Sequence, residues 1–112
     1  GGLVPDGYIL INTSRSFSEL GLDEFVRGFH AEHLCTVPAT EIALKHVGRP
    51  LPNAALLGGF AAVSGRIAID SVLAAIREKF PAKIADGNIA AANAAYQYVL
   101  GEMREAAHAQ AD

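Results

Sequence analysis

The chain of 112 residues holds one cysteine, Cys35. A lone thiol cannot build an intrachain disulfide framework or supply the set of thiolates that an iron–sulfur cluster takes. It fits a reducing, cytoplasmic setting. Tryptophan is absent, and the one methionine is Met103. Cations are in the minority: nine Lys and Arg stand against twelve Asp and Glu, for a net charge of −3. They are scattered along the chain, which argues against a nucleic-acid surface. No apolar run approaches the ~20 residues needed to span a bilayer, and no secretory leader pattern is present. No Gly-rich phosphate loop follows a strand. The histidines His30, His33, His46 and His108 lack metal-ligand spacing. No nucleophile–base pair is visible. On its chemistry alone, the chain does not read as a self-sufficient enzyme.

Leu51 to Gly65 lacks charge altogether, and the rest of the chain is organised around this stretch. Pro52 and Asn53 signal a helix start, with Asn53 as the expected cap, and Gly65 is a left-handed stop. Between them Leu56, Leu57, Phe60, Ala61 and Val63 make the helix apolar on nearly every side. Such a helix belongs inside a core, or in part against a partner chain. Gly58 and Gly59 are small enough to admit a neighbouring backbone. Pro52, Asn53, Leu56, Leu57, Gly58, Gly59 and Phe60 are therefore the candidate packing and interface residues.

Along the chain, Pro5-Asp6-Gly7 is turn chemistry. The continuous apolar run Tyr8–Ile11 reads as a strand covered on both faces. Asn12, Thr13 and Ser14 leave the C-terminal end of that strand, where α/β folds place ligands, so they form a candidate ligand-facing loop. An ordinary surface loop is the alternative. A short helix is expected over Glu24–Phe29, capped by Asp23, and a second strand over His33–Val37. Cys35 in that strand is expected to be a buried, inert side chain. A helix should run from Pro38-Ala39 to His46, ahead of the uncharged one. Another should open near Asp70, with Val72, Leu73, Ile76 and Phe80 on its apolar face. The last should cover Lys83–Ala107, with Ile89, Ala92, Tyr96, Val99, Leu100 and Met103 as its stripe. The tail His108–Asp112 is expected to fray. The order strand, helix, strand, then four helices implies a right-handed parallel crossover. The fold class is α/β, a partial parallel sheet with a helix-rich C-terminal two-thirds.

Several segments together resemble a known family. They are Val37-Pro38-Ala39-Thr40-Glu41-Ile42-Ala43, Gly48-Arg49-Pro50, and Pro52-Asn53-Ala54-Ala55-Leu56-Leu57-Gly58-Gly59-Phe60-Ala61. Ile76-Arg77-Glu78-Lys79-Phe80-Pro81 and Asn88-Ile89-Ala90-Ala91 follow in order. The series is similar to the C-terminal part of the gamma subunit of 2-oxoacid:ferredoxin (acceptor) oxidoreductases, such as pyruvate:ferredoxin oxidoreductase. The resemblance covers Gly7 to about Tyr96. It implies a Rossmann-like gamma domain packed against alpha, beta and delta-type subunits. It also implies a holoenzyme that decarboxylates a 2-oxoacid on thiamine diphosphate with magnesium. Electrons would pass through iron–sulfur clusters to ferredoxin or another acceptor, and the acyl group would go to coenzyme A. No catalytic, cofactor-binding or metal-binding residue is assigned to this chain. The family's gamma subunit normally begins with a Gly-rich strand–loop–helix unit, which is missing here. Ala68 stands where relatives often carry a Ser helix cap. With the opening Gly-Gly-Leu-Val-Pro running almost at once into a strand, residues 1–112 are expected to be a single domain forming the C-terminal part of a larger gamma domain. The competing readings are a stand-alone flavodoxin-like module, holding an acyl-CoA or nucleotide at Asn12–Ser16, and an autonomous interaction adaptor.

Overall fold

A computed structural model of the chain describes residues 7–111. The elements are β1 (Ile9–Asn12), α1 (Asp23–Val26), a 3₁₀ turn (Ala31–His33), β2 (Leu34–Val37), α2 (Ala39–His46), α3 (Asn53–Ser64), α4 (Ile69–Lys79) and α5 (Ala82–Ala111). The fold is α/β, with a small parallel sheet followed by a helix-rich part, as the sequence implies. Pro5 and Asp6 of the expected first turn, and the terminal Asp112, lie outside the described residues.

β1 and β2 pair in parallel, from Ile9 opposite Leu34 to Asn12 opposite Val37. Side chains alternate across a strand. Leu10, Cys35 and Val37 accordingly join the core beneath the sheet, while Ile9, Ile11, Leu34 and Thr36 stay half-buried. β1 is half-buried on both faces, Ile9, Leu10 and Ile11 alike, short of the full burial that its apolar run suggests.

The connection between the strands departs from expectation. α1 is one turn, Asp23–Val26, and buries none of its residues. Phe25 is 64% exposed. Without an apolar face to pack, so short a helix has nothing to extend it. Asp23 is inside the helix and does not cap it; its carboxylate accepts the Ser18 hydroxyl at 2.6 Å. His33 closes the 3₁₀ turn, and β2 starts one residue later.

α3 is the centre of the molecule. Its partners are α5, α2, α4 and both strands. Two clusters meet on it. Ala55, Ala62 and Val63 join Cys35, Val37, Ala39, Ala91, Ala95 and Val99 in the larger one. Ala61 joins Val72, Ile76, Ala85 and Ala92 in the other. Most of these side chains are alanines, so helix backbones approach closely and shape decides the packing. A Cβ on Gly58 would lie 2.7 Å from the Ala92 carbonyl carbon and 2.9 Å from its Cα. At Gly59 the neighbours would be side-chain methyls, Leu10 Cδ2 at 3.2 Å and Val99 Cγ2 at 3.4 Å. Gly65 ends the helix in the left-handed conformation, φ 64°, and its N–H donates to the Ala61 carbonyl.

The start of α3 is a correction. Asn53 is the first helical residue, Pro52 holds the cap position, and no side chain caps the end. A residue already in helical conformation cannot fold its side chain back onto the first free N–H groups.

α5 runs for 30 residues. The expected stripe faces inward: Ala92 and Val99 are buried, and Ile89, Tyr96, Leu100 and Met103 are half-buried. The helix continues through Ala111, where a frayed tail was expected from His108. A second close approach holds it, because a Cβ on Gly87 would lie 2.7 Å from the His46 carbonyl oxygen of α2. Phe80, expected on the buried face of α4, stands past the helix end and is 43% exposed.

Candidate functional site

The polar loop after β1 and the apolar stretch around α3 have different fates. Asn12 is the last residue of β1, and its side chain reaches across to α2. Its amide donates to Thr40 Oγ1 at 2.9 Å, and its carbonyl accepts the Thr40 backbone N–H at 3.2 Å. The first turn of α2, which Pro38 leaves without a side-chain cap, is thereby capped from a strand 28 residues away. Thr13 donates its N–H to the Val37 carbonyl, and its hydroxyl accepts the Arg15 N–H at 3.0 Å. Ser14 is exposed. Asn12 and Thr13 therefore tie the sheet end to its surroundings, while Asn12 and Ser14 are both exposed and Ser14 has no partner among the described residues.

Next to this loop, Ser16 and Glu19 form a reciprocal pair. The Ser16 N–H donates to Glu19 Oε1 at 2.9 Å, and the Glu19 N–H donates to Ser16 Oγ at 3.1 Å. These bonds hold the Glu19 carboxyl below its ordinary range. The Ser-x-x-Glu spacing, not singled out in the sequence, is the signal that could have found it.

Cys35 is 3% exposed, and its thiol sits 3.5 Å from the Thr36 carbonyl. Burial, with the nearby Glu102 charge, pushes its pKa up to about 11. At neutral pH the group is a thiol and a poor nucleophile, which agrees with the inert role expected of it. The ring of His33 lies 4.3 Å from that of Tyr8 and 5.0 Å from that of His30, centre to centre. Its Nδ1 is buried without a hydrogen-bond partner. Among the described residues no group of three His, Cys, Asp or Glu side chains could hold a metal ion. None of the helices described is long and apolar enough to cross a membrane.

The α3 candidates divide by direction. Gly58 and Gly59 face inward, and Leu56 and Phe60 pack half-buried on the larger cluster. Pro52 is half-buried at the cap position. Asn53 and Leu57 face the other way, into a groove of about 900 Å³. Its walls are the end of α2 with Arg49 and Leu51, the first turns of α3, the end of α4, and the start of α5. Leu51, Leu57, Phe80 and Ile84 line it and are 55%, 40%, 43% and 51% exposed. His46, Arg49, Lys79 and Lys83 are its charged or titratable members, and no carboxylate lines it. Gly87 and Asn88 form part of its lining, and the Asn88 amide is committed to the Ile84 carbonyl at 2.9 Å. The sequence reading picked out Asn53 and Leu57 but not their companions. Leu51 and Phe80 flank prolines at helix boundaries and Ile84 lies in the first turn of α5, while the α4 stripe had placed Phe80 on the buried face.

Comparison with known proteins gives a consistent picture. Residues 1–98 match the family model described as pyruvate ferredoxin/flavodoxin oxidoreductase. Pyruvate synthase subunit PorC of Methanothermobacter marburgensis is 41% identical over 96 residues, 86% of this chain and 49% of the relative. The common gamma subunit of the pyruvate/ketoisovalerate oxidoreductases of Pyrococcus abyssi is 36% identical over 86% of this chain and 50% of its own. In three dimensions the chain resembles the crystal structure of the pyruvate oxidoreductase subunit PORC from Thermotoga maritima. The TM-score is 0.66 at 34% identity, over 86% of this chain and 52% of that one. The chain spans about half the length of the relatives it matches. These likenesses favour an oxidoreductase subunit over a stand-alone flavodoxin-like module.

Proposed function

Since the chain belongs to the pyruvate ferredoxin/flavodoxin oxidoreductase family, we propose that it is part of a gamma-type subunit of a 2-oxoacid:acceptor oxidoreductase, with a structural and assembly role. The family match over residues 1–98 carries this reading. On this reading the complex oxidatively decarboxylates a 2-oxoacid, by default pyruvate, to an acyl-CoA in the cytoplasm and reduces ferredoxin or another acceptor. Thiamine diphosphate with magnesium, the iron–sulfur clusters and the coenzyme A chemistry belong to alpha, beta and delta-type subunits. The described residues do not suit an iron–sulfur cluster: Cys35 is the one cysteine, it is buried, and no group of three His, Cys, Asp or Glu side chains gathers among the described residues. No step is assigned to a side chain of this chain. Its contribution is a rigid surface on which other subunits are held.

Affinity purification of the tagged chain from cells that make it tests the proposal. The expected preparation contains further subunits with thiamine diphosphate and iron, and it reduces a viologen dye when given pyruvate and coenzyme A. Trials with 2-oxoglutarate and branched-chain or aryl oxoacids then define the substrate. Recovery of the chain alone, or with partners that show no 2-oxoacid-dependent reduction, would overturn the reading.

A further inference from the structure

The groove beside α3 sets apolar side chains and positive charge together. Leu51, Leu57, Phe80 and Ile84 are large, and each leaves more than a third of its surface open to the same hollow. A contiguous apolar patch of this kind marks a contact site more often than a plain surface. Arg49, Lys79 and Lys83 border it, and none of them pairs with a carboxylate among the described residues. In a chain of net charge −3, this lining of cations without acids runs against the overall sign. The groove thus asks for an occupant with an apolar face and negative flanks.

We propose that the groove docks an amphipathic helix of a partner subunit. Its apolar stripe would lie on Leu51, Leu57, Phe80 and Ile84, and its Asp or Glu flank against Arg49, Lys79 and Lys83. The proposal rests on the subunit reading above and names the surface through which assembly occurs. A helix suits the lining because the hollow is bounded by the first turns of α3, the end of α4 and the start of α5. Helix side chains spaced three or four apart seat in grooves between helices. A small molecule suits it less. Pockets for small ligands carry convergent polar groups that fix orientation. Here the Asn88 side-chain nitrogen donates to the Ile84 carbonyl, and four large exposed side chains of the lining, Leu51, Leu57, Phe80 and Ile84, are apolar.

The test uses the complex isolated through a tag on this chain. A photo-crosslinking benzoylphenylalanine replaces Leu57 in one version and Phe80 in another, with Phe25 as a control site away from the groove. Cross-linked peptides are identified by mass spectrometry. Both groove sites should capture the same segment of another subunit, with apolar residues at helical spacing and Asp or Glu beside them; Phe25 should not. The double variant Lys79→Glu/Lys83→Glu should lower recovery of that partner about tenfold, with its melting temperature unchanged, because like charges then face each other across the contact. The milder Lys79→Gln/Lys83→Gln should fall between. Capture of a segment without acidic residues, capture of a second copy of this chain, or retention of all partners with no groove cross-link would overturn the proposal while leaving the subunit reading intact. The last result together with binding of a small anion would identify a ligand pocket instead. Absence of any co-purifying subunit would overturn both.

Discussion

Gly58 of α3 and Ala92 of α5 touch backbone to backbone. A single methyl group on Gly58 would lie 2.7 Å from the Ala92 carbonyl carbon. The helices can come this close because one supplies glycine and the other alanine at the crossing. Gly58→Ala should therefore destabilise the chain by about 1–3 kcal/mol, as overpacking does where the obstacle is backbone and cannot rotate away. At Gly59 the obstacles are the ends of the Leu10 and Val99 side chains. There the gain of roughly 1 kcal/mol in helix propensity offsets a mild squeeze, and Gly59→Ala should be close to neutral. Thermal melting of the two variants side by side decides it. Equal melting temperatures would mean that the crossing is looser than described.

Asn53→Ala should leave stability nearly unchanged. The side chain makes no cap, so the ~1 kcal/mol typical of cap removal is not at stake. Gly65→Ala should cost about 1 kcal/mol, because its φ of 64° suits glycine alone. Denaturant melts of the pair would show the ordering, and a larger loss at Asn53 would contradict the assignment.

Cys35 should resist alkylation by iodoacetamide at pH 7–8 in the folded chain and react once unfolded. Its pKa is raised on folding from 9.0 to about 11. The folded state then holds its proton where the unfolded state loses it. Its contribution is complete below pH 9.0 and is lost as pH rises towards 11. Stability measured across that window should fall with pH, and less steeply in Cys35→Ala.

The Ser16–Glu19 pair should loosen in acid. Bonds from Ser16 hold the Glu19 carboxyl below the ordinary carboxylate range. Its contribution is present above that range and is lost as pH falls through the lowered one. Protection of the Ser16 amide, its exchange rate relative to the intrinsic rate at each pH, should fall in that range. Glu19→Gln should flatten the dependence.

Much of this was legible in the sequence for physical reasons. The apolar strands, the uncharged helix with its left-handed glycine stop, and the long stripe of α5 carry their signals locally. What was missed depends on partners distant in the chain. Asn53 looked like a cap, but Pro52 holds the cap position and Asn53 falls inside the first turn. Asn12 drew attention as the start of a ligand-facing loop, and its capping of a helix 28 residues on had no local signal. Gly87 gave no signal, since only the approach of the His46 carbonyl explains a glycine there. The groove escaped notice because Leu51, Phe80 and Ile84 belong to three separate segments, and the α4 stripe assigned Phe80 to the buried face.

The two backbone contacts on α5 have a mechanical consequence. Gly87 against His46 and Ala92 against Gly58 fix both the height and the rotation of one rod, with no rotamer between them to act as a spring. A helix of 30 residues is about 45 Å long, close to the 48 Å length of the whole molecule. Past Ala92 the grip passes to side chains, Ala95, Val99 and Met103 among them, which can adjust where backbone cannot. The rod is pinned hard near one end and cushioned along the rest.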